Sequence, residues 1–221
     1  MIVTLDGPAG AGKSSAARAL AARLGWCYLD TGAMYRSITL MAIEQGIPLD
    51  DAPRVADLVE RTVIEFRDGC VLADGRDVST EIRTDRITQA TRAVADAADV
   101  RAAMKRVQRR MAEGLDVVTE GRDQGSEVFP DAELKVFLTA SAEERARRRL
   151  AEELDRGRAA SLEQVQESQA RRDEGDRARP VGAMRPAADA VLLETDGMSR
   201  EQVVDRLAAL IAARLVERGS S

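Results

Sequence analysis

Short apolar runs alternate along this chain with longer segments in which apolar residues recur at helical spacing. The apolar runs predict core strands at 2–6, 26–29, 116–120, 134–139 and 190–194. The longer segments predict helices at 13–24, 33–45, 54–60, 84–97, 100–113, 141–156, 161–174 and 199–217. Alternation of this kind predicts an α/β fold built on a mainly parallel sheet.

One segment departs from the alternation. The strand-like runs 62–67 and 70–73 flank Asp68-Gly69, and a second turn, Asp74-Gly75, leads into 77–79. Asp-Gly between two such runs is a strong hairpin signal. We therefore predict a small antiparallel β insert that is separate from the main sheet, with an edge hairpin extending that sheet as the alternative.

The first apolar run leads directly into Gly7–Ser14, which fits the phosphate-loop pattern G-x-x-x-x-G-K-[ST] and precedes a helix. Glycines let the backbone wrap around a polyphosphate with N–H groups pointing inward, and the helix N-terminus adds partial positive charge. Lys13 is expected to reach the outer phosphates, and Ser14 to hold Mg²⁺. The predicted nucleotide-binding residues are Gly7, Pro8, Ala9, Gly10, Ala11, Gly12, Lys13, Ser14 and Ser15. The alternative is a glycine-rich turn before an ordinary helix.

Composition narrows the classes of function. The 221 residues carry a net charge of −5, which argues against a general binder of nucleic-acid polymers or membrane surfaces. No apolar run approaches the roughly 18 residues of a membrane span, and we expect a cytoplasmic protein. The chain has no histidine, which excludes Ser-His-Asp and Cys-His catalysis and makes a zinc site unexpected. It also has no asparagine, so the Asn-Lys-x-Asp element that reads guanine in GTPases is absent.

Two segments are candidates for the acceptor side of a transfer reaction. Thr31, Tyr35 and Arg36 begin the helix after the second strand, where they could face one anion that Arg36 clamps. Gly121, Arg122 and Asp123 follow the third core strand, and ligands of open α/β sheets bind at the carboxyl ends of strands. The alternatives are a capped helix with a solvated arginine and a salt bridge that closes the strand end.

The stretch 143–179 is rich in arginine, and most of these charges are expected on solvated helix faces. Residues 172–180 predict instead a helix end and loop where several guanidinium groups converge, as a mobile lid over transferring phosphates would require. No general base is evident, although Asp123 or Asp30 could serve. A phosphate monoester is an acceptor that needs no base, because its oxygen is already anionic.

Taken together, these motifs resemble the bacterial cytidylate kinases, which are nucleoside monophosphate kinases. The resemblance rests on Asp6–Ser15, Leu29–Arg36, Asp77–Arg83, Glu120–Asp123, Val128–Ala132 and Phe137–Arg145. It implies a single P-loop kinase domain with a five-stranded parallel core (1–30, 114–140, 186–221), a nucleotide-acceptor region with a β insert (31–113) and a helical lid (141–185). It also implies a monomer that uses ATP and Mg²⁺ to phosphorylate CMP and dCMP.

The resemblance assigns roles residue by residue. Thr31, Tyr35 and Arg36 would hold the acceptor phosphate and ribose side, and Arg101 and Asp123 would read cytosine. The nucleotide would also contact Gly121, Arg172 and Asp176, with Asp176 on the sugar and Arg179 on the acceptor phosphate. The implied catalytic residues are Lys13, Arg122, Arg172 and Arg179.

Two departures from the family pattern stand out. A serine is common about nine residues before the arginine that corresponds to Arg101, and here that position falls at Arg92 or near Thr91. Gly175 stands where a lid arginine is common. Other acceptors for a P-loop kinase, namely UMP/CMP, shikimate or dephospho-coenzyme A, are the nearest alternatives, and a P-loop nucleotide switch is a more distant one.

Overall fold

The computed structural model describes residues 1–67, 69–155, 157 and 159–219, apart from the side chains of residues 218 and 219. Asp68 of the predicted first turn, Arg156, Arg158 and the last two serines lie outside the described residues. The described part divides into two compact units: residues 1–28 together with 115 onward, and residues 29–114.

The strands of the main sheet are β1 (Ile2–Asp6), β2 (Cys27–Asp30), β6 (Val117–Glu120), β7 (Leu134–Thr139) and β8 (Val191–Glu194). They form one parallel sheet in the order β2-β6-β1-β7-β8. Val3 pairs with Val118 on one side of β1 and with Leu134 on the other. The predicted α/β fold with a five-stranded parallel sheet is confirmed.

The first unit also contains helices α1 (Lys13–Leu24), α6 (Ala142–Asp155), α7 (Leu162–Ala178) and α8 (Arg200–Gly219). Helix α1 buries Ala16, Ala17, Leu20 and Ala21, and small alanines allow close packing against the sheet. Leu207 and Ile211 of α8 join the same core, which continues through the apolar faces of the central strands. This packing fixes the carboxyl ends of β1 and β6 next to the start of α1.

The second unit contains α2 (Thr31–Glu44), α3 (Ala52–Arg61), α4 (Asp85–Asp96) and α5 (Ala98–Ala112). It also holds a short 3₁₀ turn (Glu81–Arg83) and the strands β3 (Ile64–Arg67), β4 (Cys70–Ala73) and β5 (Arg76–Asp77). These strands form their own antiparallel sheet. Asp74 and Gly75 both have positive φ, 49° and 79°, as the tight hairpin between β4 and β5 requires. The predicted separate β insert is confirmed, and the edge-hairpin alternative is wrong.

Helix α7 corrects one prediction. It continues to Ala178, so Gly175, Asp176 and Arg177 lie inside a helix and not in a loop. Glycine in a helix interior costs about 1 kcal/mol relative to alanine, but buried Asp173 and Asp176 make tertiary contacts through this turn. Local propensity is therefore outweighed by interactions that the helix makes with the rest of the unit.

Among the residues that the structure describes, no helix combines the length and the apolar character that crossing a membrane requires.

Candidate active site

The loop between β1 and α1 has a backbone that only glycine accommodates at its first position. Gly7 has φ of 139°, and a Cβ built there would lie 2.0 Å from the carbonyl oxygen of Leu138. Gly10 and Gly12 also have positive φ, 80° and 85°. Helix α1 then begins at Lys13 with no acidic residue in its first turn, so its own side chains leave the positive end of the dipole unneutralised. The loop and helix start therefore form an anion-binding concavity.

The Lys13 ammonium is buried beneath this loop. Its Nζ donates a hydrogen bond to the carbonyl oxygen of Pro8 at 2.7 Å. Burial and the positive charges of Arg122 and Arg172 lower the pKa of Lys13 to about 7, against the opposing effect of Glu120 and Asp6. A bound polyanion would favour the charged form of this lysine, so its proton content is tied to ligand binding.

Ser14 and Glu120 form an oxygen pair at the edge of the sheet. Ser14 Oγ donates to Glu120 Oε1 at 2.9 Å, and Glu120 is buried at the carboxyl end of β6. Serine hydroxyl and carboxylate oxygens are ligands that suit Mg²⁺, which takes only one or two carboxylates when phosphates complete its coordination. The described residues contain no group of three or more His, Cys, Asp or Glu side chains that could hold a metal ion.

Sequence reasoning placed Glu120 in the motif but gave it no role. Its position as the last residue of a buried strand beside the phosphate loop is the signal that identifies it.

Asp6 orders the turn that directly follows Asp123, the predicted base-reading residue. Its carboxyl accepts hydrogen bonds from the backbone N–H groups of Gln124 at 2.8 Å and Gly125 at 2.7 Å. These residues open a π-helical turn that directly follows buried Asp123. Burial raises the pKa of Asp6 to about 7, although the two amide hydrogen bonds lower it. Sequence reasoning gave Asp6 no role, since nothing local indicates a contact with residues so far along the chain.

Arg122, Asp176 and Arg179 form a charge cluster in which Asp176 is buried and both arginines are partly exposed. Arg122 Nε donates to one carboxylate oxygen of Asp176 at 2.7 Å, and Arg179 Nη2 lies 2.6 Å from the other. Burial alone would raise the pKa of Asp176, but Arg122 and Arg179 hold it below its ordinary value. The positive charge of Arg172 lowers the pKa of both Asp176 and Lys13. The structure thus brings together the arginines that sequence reasoning selected at two distant segments.

Two arginines of α6 are exceptions to the solvated helix faces expected for most of this stretch. Arg145 is buried, and Arg148 is held by hydrogen bonds to Glu144 and to both oxygens of Thr195. Arg147 between them is exposed, as expected. The difference follows from helical spacing, since residues three apart share a face.

A cavity of about 130 Å³ lies beside the phosphate loop on the side of Arg148. It is lined by Ala11, Gly12, Ser15, Ala16, Arg148, Met198, Arg200 and Val203. The guanidinium plane of Arg148 is anchored at its edges by the bonds to Glu144 and Thr195. Apolar walls with a fixed guanidinium suit a planar aromatic ring. Sequence reasoning missed this pocket because its walls come from three separated segments.

In the second unit, Asp30 caps α2 by accepting from the Ala33 N–H at 2.8 Å. Arg36 Nη2 lies 3.7 Å from the same carboxylate, and the Nε of Arg36 is buried without a partner among the described residues. Arg101 is buried, and its guanidinium lies over the Tyr35 ring at 5.9 Å from the centroid. Thr31, the first residue of α2, is buried as well. Three of the predicted acceptor residues thus share one helix start, and Arg101 joins them from α5.

Thr91 and Arg92 occupy the positions near which a serine is common in the family pattern. The Thr91 hydroxyl donates to the carbonyl oxygen of Ile87 at 2.7 Å. Arg92 is exposed, and its Nε lies 3.4 Å from Asp96 on the next turn of α4.

A cytidylate kinase from Rhodopirellula baltica is 48% identical over 96% of this chain and 92% of its own length. A bifunctional pantoate ligase/cytidylate kinase from Synechococcus is 43% identical over the whole chain, which spans 42% of that longer protein. A shikimate kinase from Bacteroides thetaiotaomicron shares the fold, with a TM-score of 0.50 at 14% identity over 96% of this chain and 98% of its own. A profile of the cytidylate kinase family matches residues 3–213. This chain therefore belongs to the cytidylate kinase family, a family of nucleoside monophosphate kinases.

Proposed function

We propose that this protein transfers the γ-phosphoryl group of ATP to CMP and dCMP, giving ADP and the corresponding diphosphates. The single observation that carries the proposal furthest is the charge arrangement beside the phosphate loop. Lys13 and Arg172 interact electrostatically there, and Asp176 bridges Arg122 and Arg179. Family membership supplies the class of acceptor.

The donor half of the site lies in the first unit. We assign the polyphosphate to the loop from Gly7 to Ser15 and the outer phosphates to Lys13. The adenine ring is assigned to the cavity beside Arg148, whose fixed guanidinium plane offers a stacking surface.

Magnesium fits the oxygen pair formed by Ser14 and Glu120, which lie 2.9 Å apart. Ser14 would hold the ion together with phosphate oxygens, and Glu120 would orient its shell. When bound, the ion neutralises charge on the donor phosphates.

For the acceptor, we assign the phosphate and ribose side to Thr31, Tyr35 and Arg36. The Nε of Arg36 supports this, because it is buried without a hydrogen-bond partner among the described residues and an anion would satisfy it. Cytosine recognition is assigned to Arg101 and Asp123, with Gly121 beside the nucleotide.

The proposed chemistry is an in-line displacement. An anionic oxygen of the CMP phosphate forms a bond to the γ-phosphorus, while the bond from that phosphorus to the β,γ-bridging oxygen breaks and ADP leaves. No proton has to be removed from the acceptor, so no base is needed. Arg122, Arg172 and Arg179 neutralise the charge that spreads over the equatorial oxygens, and Asp176 sets where two of them point.

The decisive experiment is an ADP-release assay with purified protein, ATP and Mg²⁺ against CMP, dCMP, UMP, AMP, GMP and shikimate. CMP and dCMP should give the highest kcat/KM. Lys13→Ala should reduce turnover by about 10²–10³-fold, which also excludes a contaminating kinase. A higher kcat/KM for shikimate or a purine monophosphate would overturn the proposal. The other acceptors and the nucleotide switch are not favoured by the family match.

We further propose that the protein acts as a monomer in the cytoplasm. Both cysteines, Cys27 and Cys70, are free thiols, which accords with a reducing compartment. Sedimentation of the purified protein tests the monomer, and fractionation of the source cells tests the location.

A further inference from the structure

The lid helices reach the phosphate loop through one buried ion pair that the proposed reaction does not yet use. Arg145 of α6 and Asp173 of α7 lie 2.6 Å apart, with side chains only 9% and 2% exposed. Both also bind the backbone of the same loop residue, Ala9. Arg145 Nη1 donates to the carbonyl oxygen of Ala9 at 2.9 Å, and Asp173 Oδ1 accepts from the Ala9 N–H at 3.2 Å.

Further hydrogen bonds, to groups other than the Asp173 carboxylate, hold Arg145 in place. Arg145 Nε donates to the carbonyl oxygen of Ala140 at the end of β7, 3.2 Å away. Gln169, one turn before Asp173 on α7, donates to the carbonyl oxygen of Arg145 at 3.2 Å. A Cβ placed on Gly10 would lie only 2.7 Å from Gln169 Nε2 and 3.1 Å from the Arg145 Cβ. The second glycine of the loop therefore packs directly against α6 and α7.

A buried guanidinium and a buried carboxylate are stable when each is paired and hydrogen-bonded, and here the loop peptide supplies part of that bonding. Helices α6 and α7 thus bind the loop through both the backbone N–H and the backbone carbonyl of Ala9. Displacing α6 or α7 relative to the loop would break several charged hydrogen bonds together.

We propose that Arg145 and Asp173 are positioning residues of the donor site, which hold the Ala9 peptide and so fix the shape of the phosphate loop for ATP. The inference rests on the donor role proposed for this loop. Neither residue touches the reacting atoms: they act through the backbone of the loop. Their effect is therefore specific to ATP and not to the acceptor.

The test compares three variants with wild type: Arg145→Met, Asp173→Asn and the double variant Arg145→Met/Asp173→Leu. Each should lower kcat/KM for ATP by about 10²-fold, while the KM for CMP changes by no more than about twofold. The double variant should have a kcat/KM for ATP no lower than that of either single variant, because all three lose the same hydrogen-bonded contact with Ala9. Arg145→Lys should recover part of the loss by restoring the charge.

The matched control is Arg147→Met/Glu143→Gln, which removes an exposed ion pair of 2.6 Å from the same helix. It should leave the kinetics unchanged, since exposed pairs contribute little.

A second readout needs no activity. Hydrogen exchange of the loop peptide 5–14 should accelerate in Arg145→Met, while that of helix 200–217 stays as in wild type. Equal losses for ATP and CMP that track a fall in Tm, or unchanged loop exchange, would overturn the inference. If wild type fails to phosphorylate CMP, the proposed function fails, and the exchange measurement still decides this inference.

Discussion

Ser14 and Glu120 stand 106 positions apart in the chain, yet the serine hydroxyl donates to the glutamate carboxylate at 2.9 Å. The contact joins the first residues of α1 to the carboxyl end of β6, which neighbours β1 in the sheet. In phosphate-loop proteins, a hydroxyl at the end of the loop and a nearby carboxylate hold Mg²⁺, and oxygens of the nucleotide phosphates complete its coordination. Parallel pairing of β1 with β6 is what brings them together.

Replacing this carboxylate tests the metal assignment. Glu120→Gln keeps the size of the side chain and an oxygen for Ser14 but removes the charge. We expect kcat to fall by about 10²-fold and the Mg²⁺ concentration for half-maximal rate to rise. Glu194→Gln, at the exposed end of β8, is the matched control and should behave as wild type. Unchanged magnesium dependence in Glu120→Gln would remove Glu120 from the metal site.

The pKa of Lys13 predicts that ATP binding takes up a proton. Burial and the neighbouring arginines lower the pKa of this lysine to about 7, so its side chain is mainly a neutral amine at pH 8. A polyphosphate favours its charged form, and binding at pH 8 should therefore be accompanied by proton uptake. ATP affinity should consequently weaken as pH rises from about 7 toward the ordinary lysine value. Calorimetry in two buffers of different ionisation enthalpy measures the uptake.

Lys13→Arg is the control for that measurement, because a guanidinium stays protonated throughout this range. It should bind ATP at pH 8 without proton uptake. Buffer-independent heats in wild type would show that Lys13 is already charged before ATP binds.

Arg36 separates acceptor binding from donor binding. Arg36→Met should raise the KM for CMP by at least about tenfold, because it removes a charge-assisted fork from the proposed phosphate site. ATP binding, measured separately, should be unaffected. Arg54→Met removes an exposed arginine of the same unit and should change neither constant. A normal KM for CMP in Arg36→Met would return this arginine to the role of a helix-start residue paired with Asp30.

Replacing Asp123, like replacing Arg36, should weaken the binding of CMP more than that of ATP. Asp123→Ala removes a buried carboxylate beside the turn that Asp6 holds, and CMP affinity should fall much more than ATP affinity. Asp131→Ala, at an exposed position on the following loop, serves as the comparison. Equal losses for CMP and ATP would exclude Asp123 from reading the base.

Two glycines with positive φ should differ sharply in their tolerance of a methyl group. Gly25→Ala places a Cβ in open space at the end of α1 and should lower the free energy of unfolding by about 1–2 kcal/mol. Gly7→Ala forces a Cβ within 2.0 Å of the Leu138 carbonyl oxygen, and we expect a loss of more than about 3 kcal/mol. Urea unfolding followed by circular dichroism measures both. Similar losses would mean that the loop relaxes around the added methyl.

Local patterns were sufficient for most elements of the fold. The strand 134–139 and the helix 13–24 were predicted with the bounds that the structure has. Apolar periodicity, a phosphate loop and Asp-Gly turns are properties of neighbouring residues, so they are visible without the fold. Helix α7 was underestimated because Gly175 signals a helix end locally, whereas the contacts that extend the helix are tertiary.

The sequence by itself determined the alternation of strands and helices, the phosphate loop and the candidate arginines, because each depends on spacing along a few residues. Only the tertiary structure decided which charges meet. Asp176 pairs with Arg122 from 54 positions away, and Asp173 accepts from Ala9 across 164 positions. Such pairs depend on strand order and helix packing, and a buried charge takes whichever partner the fold brings within hydrogen-bonding distance.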